Sequence, residues 1–86
     1  MTDRFRAAFD ALPDGSFDAI YDGRRYVVAK TRFAEGRSHK LEAWERGGTD
    51  YISLNLYDLS SGKMVLNPCE MPADKVRRFV ERVRPE

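Results

Sequence analysis

Turn signals recur through the middle of this chain too closely for crossover connections to fit between them. Asp14-Gly15, Asp22-Gly23, Glu35-Gly36, Gly47-Gly48 and Ser61-Gly62 each read as a break. The segments between them are short and rich in β-formers. Parallel strands need a crossover of a dozen or more residues, usually a helix, so these strands must instead be joined as antiparallel hairpins. The spacing predicts strands over 17–22, 25–34, 38–46, 50–58 and 63–67. Asp22-Gly23 suits a two-residue turn of the primed type, in which both residues take positive φ.

The two ends of the chain have a different period. Phe5, Ala8, Phe9 and Leu12 fall at i, i+3, i+4 and i+7, one face of a helix over about 3–12. Thr2 is placed to cap it, with Asp3 in the electropositive first turn, and Pro13-Asp14-Gly15 ends it. Val76, Phe79, Val80 and Val83 repeat the spacing in a second helix over about 72–83. Pro72 suits its first turn and Pro85 stops it. Each helix has one apolar stripe and needs a sheet to cover it. The fold class is therefore α+β: one domain over residues 1–86, a four- to five-stranded antiparallel β-meander with an N-terminal and a C-terminal helix on one face.

Which sheet face stays open follows from period two. In the fourth strand Ile52, Leu54 and Leu56 point inward, and Tyr51, Ser53, Asn55 and Tyr57 outward. In the third, Leu41 and Ala43 face in, leaving Lys40, Glu42, Trp44 and Arg46 outside. The second holds apolar residues on both faces; assigning Val27 and Ala29 to the core leaves Tyr26, Val28, Lys30 and Arg32 outside. The open face then combines aromatic rings, cations and small polar groups. Bases stack on such rings, and lysine and arginine neutralise phosphates. Trp44, Tyr51 and Tyr57 are the candidate stacking residues. Lys30, Arg32, Lys40 and Arg46 are the candidate phosphate contacts, with Arg37 at the rim and Asn55 as a hydrogen-bonding group.

Net charge is only +1, but it is unevenly spread. Residues 23–46 carry seven bases against three acids, and 75–86 carry five against two. Residues 1–22 carry two against five, and 47–74 one against four. The two basic blocks can meet on one surface.

Three stretches resemble the PUR repeat: Tyr26-Val27-Val28-Ala29-Lys30, Gly36-Arg37-Ser38-His39-Lys40-Leu41-Glu42 and Ile52-Ser53-Leu54-Asn55-Leu56 before a helix. More distantly they resemble the single-stranded-DNA-binding coactivators of the positive-cofactor-four type. The resemblance covers about residues 24–83. It implies four antiparallel strands followed by a helix, single-stranded nucleic-acid binding, and pairing of two units, hence a homodimer for a chain with one unit. Lys30, Arg37 and Lys40 match basic positions of that pattern. Ser38-His39 stands where the family usually has an aromatic residue, and the N-terminal helix and residues 59–67 are additional.

The leading expectation is a small single-stranded nucleic-acid-binding domain, homodimeric and cytoplasmic, without a cofactor. The alternative is a protein-interaction module or obligate homodimer using the same face with no nucleic-acid role, because Tyr, Trp and Arg are also enriched at protein interfaces. One cysteine and one histidine leave little catalytic or metal-binding chemistry, so the chain is not read as an enzyme. Cys69, just ahead of the second helix, reads as a small packing residue. No 18-residue apolar run is present, and Met1–Arg6 lacks the apolar stretch of a signal peptide.

Overall fold

The computed structural model describes residues 4–86. The proposed cap at Thr2 and Asp3 lies outside them. In chain order the elements are α1 (Arg4–Ala11), β1 (Gly15–Tyr21), β2 (Arg24–Phe33), β3 (Ser38–Glu45), β4 (Tyr51–Asp58), β5 (Met64–Pro68), α2 (Ala73–Arg82) and β6 (Arg84–Pro85). They make one antiparallel sheet in the order β5-β4-β3-β2-β1-β6. The meander and the two helices match the expected α+β class. The sixth strand is additional. Pro85 halts α2, Arg84 extends because a residue before proline avoids the helical region, and the chain falls beside Ala19 and Ile20 of β1.

The hairpin at Asp22-Gly23 is the tight one expected. Tyr21 pairs with Arg24, and Asp22 and Gly23 take φ of 54° and 74°. The β2–β3 connection is a tight turn over Ala34–Gly36, with Ala34, Glu35 and Gly36 all at positive φ and the Arg37 N–H donating to the Ala34 carbonyl.

The core lies between the sheet and both helices. Phe5 and Phe9 from α1, Leu12 just after it, and Val76, Phe79 and Val80 from α2 meet Val28, Leu41, Ile52, Leu54 and Leu56 of the sheet. Their i, i+3, i+4 spacing is what brings each set to one side of its helix. The Phe79 ring is 5.2 Å from Tyr26 and 4.8 Å from Tyr21, so α2 is pinned over β1 and β2 by aromatic contacts. Arg77 does not stand free on the solvent side of α2; its guanidinium lies 5.1 Å above the Phe5 ring, between the helices.

Candidate interaction surface

Among the described residues no helix covers the second face of the sheet, and its composition differs from the expected one because β2 has the opposite parity. Tyr26, Val28 and Lys30 face the helices and are buried, while Val27, Ala29 and Thr31 face outward. A one-residue change in assignment turns every side chain of a strand over. The larger Tyr26 and Val28, not Val27 and Ala29, fill the space under α2.

Lys30 is thus corrected from a phosphate contact to a structural residue. Its side chain is 4% exposed. Nζ donates hydrogen bonds of 2.8 Å to the carbonyl oxygens of Phe9 and Leu12, and lies 4.7 Å from the Phe9 ring centroid. Those carbonyls lie at the end of α1, where helix acceptors lack their regular partners and the dipole favours a cation; Phe9 O accepts from the Leu12 N–H as well, at 3.2 Å. Burial pulls the Lys30 ammonium below its ordinary pKa, and Asp14 partly offsets this. Arg32 is corrected too. It shares the helix-side parity of Lys30, pairs across from His39, and bonds Asp14.

On the open face, cross-strand register arranges the outward residues in rows, since directly opposed residues share a face. One end row reads Val65, Tyr57, Ser38, Phe33. Next comes Asn67, Asn55, Lys40, Thr31, and then Ser53, Glu42, Ala29, Ser16. The fourth row reads Tyr51, Trp44, Val27, Asp18, with Ile20 and Arg25 paired beyond it at the margin of the face. Two rows dominated by apolar and aromatic groups therefore flank two rows of polar and small ones. Phe33 is 48% exposed, Trp44 42% and Val65 38%. The Trp44 and Tyr51 rings lie 5.9 Å apart.

The expected residues Lys40, Trp44, Tyr51, Asn55 and Tyr57 do share this face. Arg46, just past β3, reaches it by crossing to Asp18 at 3.6 Å. Arg37 sits at the β3 entrance, its Nε donating to the Ala34 carbonyl at 3.4 Å. The charges are balanced. Lys40 lies 4.0 Å from Glu42, Arg46 faces Asp18, and Arg25 lies 3.6 Å from Glu86. Tyr51 donates its hydroxyl proton to Glu42 at 3.0 Å. The sequence reading overlooked the contribution of Phe33, Val65, Val27 and Arg25. Val65 was legible from strand alternation alone; Phe33, Val27 and Arg25 required the parity of β2.

Two polar clusters lie on the helix side. Tyr26 donates to Asp50 at 2.7 Å, and Lys75 binds the other Asp50 oxygen at 2.9 Å. Burial and Asp50 hold the Tyr26 hydroxyl well above the ordinary phenol range. Burial alone would raise Asp50, but hydrogen bonds from Lys75 and Tyr26 outweigh it and the net direction is down. These residues border a cleft of about 630 Å³ that also includes Tyr21, Arg24 and Arg78. In the second cluster Arg6 bonds Asp58 through two nitrogens, and His39 Nε2 lies 3.1 Å from Asp58. The Arg6 guanidinium, then the His39 bond, hold the Asp58 carboxyl below its usual range against the effect of burial.

His39 faces Phe9 on the helix side, whereas Cys69 receives an Asn55 amide contact at 3.6 Å on the open side. The sheet separates the chain's sole imidazole from its sole thiol, so they form no dyad. No helix among the described residues is long and apolar enough to cross a membrane. Comparison with protein-family models, curated proteins and solved structures finds no match.

Proposed function

We propose that this chain is a protein-interaction module whose open sheet face docks an apolar, charge-balanced protein surface. The carrying observation is that the face keeps its aromatic rows while two of its four expected phosphate contacts, Lys30 and Arg32, turn to the helix side. The remaining two, Lys40 and Arg46, each stand beside a carboxylate. A nucleic-acid surface needs an excess of cations to displace counterions, whereas a protein interface needs exposed apolar and aromatic area with polar groups of both signs.

A second reading keeps the single-stranded nucleic-acid role and the PUR-like resemblance. It is favoured by one corner, where the Trp44–Tyr51 pair adjoins Arg46 and Arg25. Trp44 is the only tryptophan, so its fluorescence separates the readings. Under the docking reading, oligo-dT and oligo-U leave its emission unchanged at low and moderate salt. The hydrophobic dye bis-ANS binds the face, and Phe33→Ser weakens that binding with little response to salt. Saturable quenching by oligonucleotide that fades with salt would overturn docking in favour of nucleic acid.

A further inference from the structure

Resting on the docking reading, we infer that the occupant of the open face is a second copy of this chain, stacked sheet on sheet about a two-fold axis perpendicular to the strands. The row order carries this. Such an axis, lying between the two sheets and passing between the Lys40 and Glu42 rows, exchanges the two polar rows and exchanges the two apolar end rows. Lys40 of one copy then opposes Glu42 of the other, and the reverse, because both residues belong to β3 and lie one row apart. An isologous contact requires a surface complementary to itself under its own rotation, and this pair meets that requirement in charge.

Shape follows the same exchange. Trp44 stands over Ser38 of the second copy, a large side chain over a small one. Phe33 stands over Val27 and Tyr57 over Tyr51, so apolar and aromatic groups of one end row meet those of the other. Alternation of large and small is what lets two sheets pack about 10 Å apart.

The area is adequate but small. Four rows span about 20 Å along the strands and the four strands of each row about 14 Å across, by the usual strand rise and spacing. With side-chain overhang this is roughly 600 Å² per copy and roughly 1,200 Å² in total, the low end of stable protein interfaces. The association is therefore concentration-dependent, with a dissociation constant on the order of micromolar.

Sedimentation equilibrium over about 1–200 µM, a range chosen to bracket that constant, tests the inference. Wild type should pass from monomer to dimer. Glu42→Lys places lysine against lysine twice and should weaken dimerisation at least tenfold. The exchanged variant, Lys40→Glu with Glu42→Lys, recreates the opposed pairs and should return to within about threefold of wild type, on the logic of a double-mutant cycle. Phe33→Ser should also weaken the dimer; its side chain lies outside the core, so circular dichroism should remain that of wild type.

A wild-type monomer throughout the range overturns the inference, as does an exchanged variant no better than Glu42→Lys. The docking reading fails separately. A monomer that still binds bis-ANS at Trp44 and ignores oligo-dT removes only the second copy as occupant. A monomer quenched by oligo-dT in a salt-sensitive way removes both.

Discussion

Replacing Lys30 with methionine distinguishes a structural lysine from a ligand-binding one. Methionine keeps most of the apolar stem and removes the ammonium. Two hydrogen bonds from a charged donor are lost, each at 2.8 Å to a carbonyl at the end of α1. Bonds involving a charged group contribute about 1.5–3 kcal/mol each. The contact with the Phe9 ring goes as well. Against this, the variant no longer desolvates an ammonium in a side chain only 4% exposed. The Phe9 carbonyl keeps the Leu12 N–H at 3.2 Å, but the Leu12 carbonyl must find water or stay unpaired, at about 1–3 kcal/mol when buried. The balance is a loss of about 2–3 kcal/mol, which for a domain of this size lowers the Tm by roughly 10–20 °C. Thermal unfolding followed by circular dichroism measures it, and amide exchange should show the protection lost first in α1. A Tm within about 3 °C of wild type would refute the capping argument.

Three further outcomes follow from the geometry. Removing the Tyr26 hydroxyl with Tyr26→Phe should cost about 1 kcal/mol in urea unfolding, because its bond to Asp50 is lost while Lys75 still serves that carboxylate. Gly23→Ala should cost about 1 kcal/mol in the same assay, because the residue sits at φ 74° in the β1–β2 turn with open space around it, so the penalty is conformational and not steric. The acid limb of the stability curve should be shallower in Asp58→Asn. The folded carboxyl is depressed below its ordinary 3.8, so the unfolded chain takes up the proton first and wild type loses this stabilisation as pH falls through and below that value. Urea titrations between about pH 5 and 2.5 read the slope, and equal slopes would show that the Arg6–Asp58–His39 cluster contributes nothing there.

Much of the architecture was legible because local patterns and global fold agree. Asp22-Gly23 demanded a tight hairpin and made one. Phe5 with Phe9, and Phe79 with Val80, placed two helices on a core before any contact was known. Strand β4 was read correctly on both faces, since leucine and isoleucine alternate there with tyrosine, serine and asparagine. Strand β2 was not legible in the same way. Its two faces, Tyr26-Val28-Lys30 and Val27-Ala29-Thr31, are similarly apolar, so period two could not choose between them.

The amino-acid sequence by itself determined the element order, the antiparallel connection and the open aromatic face of β3 and β4. These depend on backbone preferences and on contrast between neighbouring side chains, which are local. Tertiary structure alone decided that Tyr26 rather than Val27 lies under α2, that Lys30 of β2 closes the end of α1, and that Arg84 adds a sixth strand. Each depends on a partner 18 or more residues away, or on the space left after the helices have docked. A lysine is solvated wherever water reaches it, and is buried only where a helix end supplies acceptors. That geometry exists only once the chain has closed on itself.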